Sequence, residues 1–322
     1  MAVPYRDLQL RKIRYPKLDA IQWLPPAQVA KFSADGTTAH RIATGGDGWV
    51  EKLGDDVLLS FMTDSFKETI LSELENWSTE AGWKPARVFG KFLPKKNEDR
   101  IAPTLISGEA NLPLRTVVEE AGVKYGLDFE AGYSAGLFID QRANRAFVRQ
   151  VKPKRLLNTF AYTCSFSVVA ALGGAETVSV DLSKKSLERG KENFALNAVD
   201  AGKNHRFYAD DVTDVLPRLG RRAEKFDAIV LDPPTFSRGV DGRRWQVEDG
   251  MESLLMSAME LAAPNARILL STNCTKLETR DLEAIGRFAM KTTRRGGTMH
   301  RESQLIDFPA GQGATTLWIL LR

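Results

Sequence analysis

The feature that most constrains this chain is a regular alternation, from about residue 150 to the C-terminus, of short β-rich runs with longer helical stretches. Arg155–Phe160, Thr177–Asp181, His205–Tyr208, Phe226–Asp232 and Arg267–Thr272 read as strands. The segments between them are long enough for the helical crossovers that parallel strands need. Ser183–Asn197 and Trp245–Ala263 have helical character; in the second, Met251, Leu254, Leu255, Ala258 and Ala262 recur on one face. A third helix is expected over Leu282–Met290. The architecture this pattern dictates is α/β, a doubly wound and mostly parallel sheet. The chain ends in Thr315–Leu321, a β-rich run reached from Gln304–Phe308, and a short connection between the two predicts a closing antiparallel hairpin.

Upstream the texture is different. To about residue 130 the chain reads as short strands broken by turn chemistry, with a turn at Thr44–Gly48 and strands at Val57–Phe61, Ala86–Lys91 and Leu114–Val118. Phe66, Ile70, Leu74 and Trp77 recur at helical spacing behind Ser65-x-x-Glu68, the form of a capping box. Residues 1–130 are therefore expected to form a smaller α+β domain and residues 131–322 the α/β domain. A length of 322 residues suits two such units.

An apolar fraction of 43% excludes disordered and fibrous classes. No run approaches the ~20 apolar residues of a membrane span, and no leader follows Met1, so neither a membrane anchor nor secretion is expected. Two cysteines, Cys164 and Cys274, make neither a disulfide framework nor a zinc site, and three histidines make no metal centre. A reducing, cytoplasmic location without metal is the expectation. A net charge of +4 permits a nucleic-acid partner without requiring one. Basic residues cluster at Arg11, Lys12, Arg14 and Lys17, at Arg238, Arg243 and Arg244, and at Lys291, Arg294 and Arg295.

An open α/β sheet binds its ligand beyond the carboxyl ends of its strands. After the first strand comes Asn158-Thr159-Phe160-Ala161-Tyr162-Thr163-Cys164-Ser165, running into a helix. No G-x-G-x-x-G is present, which disfavours nicotinamide and flavin and favours a cofactor without phosphates. Asp181 ends the second strand, where an acid can accept both hydroxyls of a ribose; an Asp there also serves as an ordinary helix cap. Asp210 or Asp211, after the third strand, could accept from an adenine amino group or cap the next helix. The fourth strand ends in Asp232-Pro233-Pro234-Thr235-Phe236, the most specific signal in the chain. Paired prolines fix the backbone and donate nothing, leaving nearby carbonyls free for a substrate amino group, and Phe236 can stack on a base.

These motifs resemble the bacterial large-subunit (23S) rRNA methyltransferases that modify cytosine carbon 5 or guanine N7. The resemblance covers residues 114–322 and rests on Gly136–Arg142, Asn158–Phe166, Val180–Ser183, Leu231–Ser237 and Ser271–Cys274. It implies a class I methyltransferase, a Rossmann-like fold with a seven-stranded sheet, S-adenosylmethionine as cofactor, and RNA as partner. A terminal hairpin separates that sheet from the dehydrogenase version. By the same resemblance Phe138, Gln141 and Arg142, together with Asn158, Phe160, Ala161, Tyr162 and Ser165, would hold the methionine end of the cofactor. Asp181, with Leu182 and Ser183, would hold the ribose, and Asp210 or Asp211 the adenine. Asp232, Pro233, Pro234 and Phe236 would face the target base.

Two departures stand out. Family members usually have Gly where this chain has Cys164, and residues 1–113 are short for the pseudouridine-synthase-like RNA-binding module of the cytosine-specific relatives. Cytosine carbon 5 is not nucleophilic, so a thiolate must first add at carbon 6. Cys274 stands after the fifth strand where that nucleophile would be, and Lys276 beside it could lower a thiol's pKa. The Asp-Pro-Pro-Thr-Phe run looks closer to the guanine-N7 relatives, which need no nucleophile. A non-catalytic RNA-binding protein on a degenerate methyltransferase fold, or a methyltransferase of a non-RNA substrate, would share the same sheet. Whether the chain forms a homo-oligomer is open.

Overall fold

The computed structural model describes residues 20–94, 99–202, 204–238, 244–309 and 312–322. Arg11, Lys12, Arg14, Lys17 and Arg243 lie outside them.

The N-terminal part builds a six-stranded sheet from β1 (Gln22–Trp23), β2 (Ala39–Gly45), β3 (Gly48–Leu53), β4 (Asp56–Phe61), β5 (Arg87–Phe92) and β6 (Thr104–Gly108) in sequential order. Helix α1 (Pro26–Ala34) precedes β2, and α2 (Asp64–Glu80) makes the crossover that lets β5 pair parallel to β4. As its periodicity predicts, α2 buries Phe66, Ile70, Leu74 and Trp77. Its cap is Thr63, whose hydroxyl accepts from the Phe66 amide, and not Ser65 of the expected capping box. An antiparallel ribbon of β7 (Arg115–Glu120) and β8 (Val123–Asp128) follows.

Next come a short 3-10 turn at Ile139–Gln141 and α3 (Arg142–Val151). The second sheet then unfolds as β9 (Arg155–Thr159), α4 (Ser165–Leu172), β10 (Glu176–Asp181), α5 (Lys184–Leu196), β11 (His205–Ala209), α6 (Val212–Arg221) and β12 (Phe226–Leu231). A two-stranded ribbon of β13 (Phe236–Arg238) and β14 (Arg244–Gln246) leads to α7 (Val247–Leu261), β15 (Ala262–Thr272), α8 (Thr279–Thr292), β16 (Gly297–His300) and β17 (Thr315–Leu321). This sheet has seven strands in the order β11-β10-β9-β12-β15-β17-β16. The first five are mutually parallel, and β17 runs antiparallel to both neighbours. Leu156, Leu157, Ile229, Val230, Leu231, Ile268 and Leu269 are all fully buried, as expected of parallel strands covered by helices on both faces. The doubly wound, mostly parallel sheet expected from the alternation is the one observed, with the seven strands that the resemblance implies.

One expectation is corrected. Gln304–Phe308 is not a strand; β17 pairs instead with Gly297–His300, and the connection between them is long. Residues 304–308 have other work: Asp307 is buried beneath Arg142, and its Oδ2 accepts the amide of Arg41 on β2. That use of side chains draws the segment off the sheet and packs it against the N-terminal sheet. Of the late basic cluster, Arg295 donates to the carbonyls of Met259, Ala262 and Ala263 and so closes the end of α7.

Candidate active site

Strand register sets the site. Thr159 lies beside Val180 on one side and Leu231 on the other, and Asp181 lies beside Ala209. The turns that follow β9, β10, β11 and β12 therefore emerge level, along one edge. The chain reverses its direction of winding between β9 and β12, which is where such sheets take their ligands. Asp181 and Asp232 flank that point two strands apart, about 10 Å at the usual strand spacing.

Asp181 is fixed by backbone: its Oδ2 accepts the Tyr162 amide at 2.8 Å and its Oδ1 the Ser183 amide at 2.8 Å. Burial raises its carboxyl above the ordinary carboxylate range, and the two amides work against that rise. Each oxygen keeps a lone pair for a further donor. Ser183 itself caps α5, and Leu182 is exposed.

The loop after β9 is wound tightly. Phe160, Tyr162 and Cys164 all have positive φ, at 53°, 48° and 60°. Such conformations cost side-chain-bearing residues roughly 1 kcal/mol or more each, so they must be held. The Ala161 amide donates to Val180 O at 3.0 Å, the Tyr162 hydroxyl to Ser134 O at 2.6 Å, and the Thr163 hydroxyl to Gly136 O. Cys164 is buried and its thiol pushed up to about 12 by that burial. A glycine would take the same φ without strain, so Cys164 is the costlier occupant of this turn. Asn158 does not face the loop: its amide donates to Ser167 Oγ at 3.0 Å, inside the fold beneath α4. Phe138 stands partly exposed with its ring 5.4 Å from that of Tyr162, and Ser165 opens α4.

Of the two acids after β11, Asp211 caps α6, accepting from the Thr213 amide at 2.8 Å. Asp210 is half-buried and paired with Arg218, which holds its carboxyl below the ordinary range.

Asp232 sits among buried groups. Gln141 Nε2 donates to Ser271 Oγ at 2.7 Å and reaches Asp232 Oδ2 at 3.4 Å. Burial pushes the Asp232 carboxyl up to about 6; Ser271 and Arg145 oppose the rise and nearby Asp140 adds to it. The expectation of free carbonyls after Asp232 is corrected at two positions. Pro234 O accepts the Trp245 indole N–H at 3.1 Å, and Thr235 O accepts the Val247 amide at 3.2 Å. Pro233 is buried, and Phe236 is 39% exposed with its ring free to stack.

Two expected roles look different in the fold. The Arg142 guanidinium is bound to buried Asp307 and to Ala39 O, with Phe32 beneath it, so it ties α3 to the N-terminal sheet. Lys276 pairs with Glu248 at 2.9 Å; burial raises the Cys274 thiol and Glu248 adds to the rise, which outweighs the lowering by the Lys276 amide and charge. Cys274 lines a cavity of about 310 Å³ at the ends of β15 and β17, with Asp140, Asn144, Thr272 and Phe308. Asp181 and Asp232 do not line it. Among the described residues no cluster of His, Cys, Asp or Glu could hold a metal ion, and no helix is long and apolar enough to cross a membrane.

Sequence reasoning missed Ser271 as a partner of Asp232, and Asn144 and Trp318 as the groups bonded behind Gln141. The signal was there for Asn144 alone: an amide three residues past Gln141 shares its helix face, yet that face is buried.

Residues 53–294 match the model of the S-adenosylmethionine-dependent methyltransferase family. Ribosomal RNA large subunit methyltransferase I of Tolumonas auensis is 37% identical over 210 residues, 64% of this chain and 52% of its own. The protein of that name from Escherichia coli O139:H28 is 37% identical over 261 residues, 77% of this chain and 64% of its own. The chain thus spans about half the length of the first of these relatives. The solved structure of SMU.776 complexed with SAH matches with a TM-score of 0.77 at 24% identity, over 92% of this chain and 79% of the other, a likeness of fold.

Proposed function

The chain belongs to the S-adenosylmethionine-dependent methyltransferase family, and from that premise we propose that it methylates a base of RNA, the RNA being large-subunit (23S) rRNA. The observation that carries the reading is the row formed by Asp181, the left-handed Phe160–Cys164 loop and Asp232 at the winding reversal of the sheet. The printed names of the relatives support rRNA as substrate, the bound SAH of SMU.776 supports the cofactor, and the net charge of +4 suits a polyanion.

The residues present fit the cofactor. Asp181, held by two amides with a lone pair spare on each oxygen, would accept the ribose hydroxyls. Phe138, Gln141 and the loop at Phe160, Ala161 and Tyr162 would surround the methionine end, with Ser165 at the start of α4 beside the loop. Asp210, freed from Arg218, would take the adenine amino group. When bound, S-adenosylmethionine supplies an electrophilic methyl group.

Asp232 and the partly exposed Phe236 would then hold the target base, the carboxylate accepting ring or amino N–H groups and the ring stacking on the base face. Guanine N7 is the better supported acceptor. A ring nitrogen would accept the methyl group through its own lone pair, with no proton to be removed by the surrounding residues. No thiolate is required, in keeping with a Cys274 thiol that burial keeps protonated and a Lys276 engaged elsewhere. Cytosine carbon 5 is the second reading, favoured by the presence of Cys274 in the cavity wall. Residues 1–130 would act in RNA recognition and residues 131–322 in catalysis, in the cytoplasm.

Nucleoside mass spectrometry of 23S rRNA from a strain lacking the protein tests this. Loss of one N7-methylguanosine is expected. Loss of one 5-methylcytidine selects the second reading, and an unchanged nucleoside profile overturns the RNA assignment.

A further inference from the structure

Four buried side chains from three parts of the chain form one hydrogen-bonded line that ends on Asp232. The indole N–H of Trp318, on β17, donates to Asn144 Oδ1 at 2.9 Å. Asn144 Nδ2 donates to Gln141 Oε1 at 2.8 Å. Gln141 Nε2 in turn donates to Ser271 Oγ at 2.7 Å and points at Asp232 Oδ2, 3.4 Å away. Trp318, Asn144, Gln141 and Ser271 are each 2% exposed or less.

The direction of this line is not free. An indole nitrogen can only donate, so the atom of Asn144 that meets it must be the oxygen. The Asn144 amide group is then left facing Gln141 with its N–H, which fixes the oxygen of Gln141 toward Asn144 and its N–H groups toward Ser271 and Asp232. With Ser271 Oγ occupied as an acceptor, its own hydrogen is left to donate to the carboxylate. Were either amide reversed, two donors or two acceptors would meet in the interior and leave buried groups unsatisfied.

We propose that Asn144 and Trp318 are positioning residues, acting through Gln141 and Ser271 to keep Asp232 an ionised acceptor toward the substrate base. The inference rests on the methyltransferase reading of Asp232, which it deepens. The other charged groups facing Asp232 are Asp140, from the turn before α3, and Arg145, on α3, which act in opposite directions. Asn144 also lines the 310 Å³ cavity, so the line runs from its wall to the carboxylate.

The test is the titration of Asp232 in the folded protein without RNA, read from ¹³C-carboxyl-labelled aspartate and assigned by its absence in Asp232→Asn. Asn144→Asp presents a carboxylate that accepts from Trp318 but cannot donate to Gln141, so Gln141 turns its oxygen to Ser271 and Asp232. Trp318→Phe adds no charge and releases the direction of the line. The midpoint of Asp232 is expected to rise by about one pH unit or more in the first, and by a smaller but measurable amount in the second, as hydrogen bonds to the ionised form are lost. In both, kcat should show the same shift of its acid limb. Unshifted titrations in both folded variants overturn the proposal, as does a shift in Asn144→Asp alone, which the added charge would explain. A shift in both variants of a protein that methylates no RNA would leave the relay standing and remove the functional reading instead.

Discussion

The amide of Tyr162 donates to Asp181 Oδ2 at 2.8 Å across 19 positions of sequence, so the loop that follows β9 and the acid that ends β10 are one unit. The left-handed turn that brings Tyr162 there and the Ser183 amide fix both Asp181 oxygens at the carboxyl end of β10. Charge-assisted hydrogen bonds to ribose hydroxyls contribute about 1.5–3 kcal/mol each.

Asp181→Ala is accordingly expected to weaken S-adenosylmethionine or S-adenosylhomocysteine binding by on the order of 100-fold or more. Isothermal titration calorimetry reads this directly. Affinity equal to the parent's would remove the ribose assignment.

A second expectation concerns Asp232. Its folded carboxyl, at about 6, stands above the ordinary range, so it favours folding fully below about pH 4 and that contribution is lost as pH rises through 6. Asp232→Asn removes the buried charge. A carboxyl that holds its proton roughly 100-fold more tightly when folded is worth about 3 kcal/mol once that proton is gone. The variant's stability relative to the parent should therefore improve by about that amount between pH 4 and pH 8. Urea unfolding at the two pH values checks it; a difference independent of pH would contradict it. Methyl transfer, which needs the ionised form, should fall off below about pH 6 in the parent.

Gly190 on α5 has no room for a side chain, because a Cβ there would lie 2.5 Å from the sulfur of Cys164. Alanine is the better helix former by about 1 kcal/mol, yet overpacking a buried site typically costs about 1–3 kcal/mol. Gly190→Ala should thus lower the thermal midpoint, and adding Cys164→Gly should restore it, since the colliding atom disappears and φ of 60° suits glycine. Failure of the second change to restore stability would show that the crowding lies elsewhere.

The fold was legible where burial writes itself into composition. Strands β9, β12 and β15 are covered on both faces and therefore read as apolar runs, and α7 shows its one-faced stripe. The edge strand Gly297–His300 escaped because four residues with a glycine and little apolar content carry no period, whereas Gln304–Phe308 reads as β-rich through Leu305, Ile306 and Phe308 while serving to dock Asp307 and Phe308. Asp181 and Asp232 were readable because βα order alone puts them at one edge. The line from Trp318 to Asp232 was not, since it joins four regions separated by up to 174 positions and depends on which atoms meet.

At the opposite end of the sheet, Glu224 receives Arg155 and Arg206, whose bonds pull its carboxyl down to about 2. A folded value below the unfolded one gives stability that is present above the ordinary range and lost as pH falls toward 2. Glu224→Gln should cost about 2 kcal/mol at pH 7, allowing for screening of the partly exposed arginines, and much less at pH 3. Equal losses at both pH values would contradict the assignment.

The most direct measurement is incubation of the purified protein with methyl-labelled S-adenosylmethionine and unmodified large-subunit rRNA, followed by digestion to nucleosides. Label confined to one nucleoside, N7-methylguanosine, and abolished by Asp232→Asn, is the expected result. Absence of label from every nucleoside, by a protein that binds S-adenosylhomocysteine through Asp181, would contradict the account.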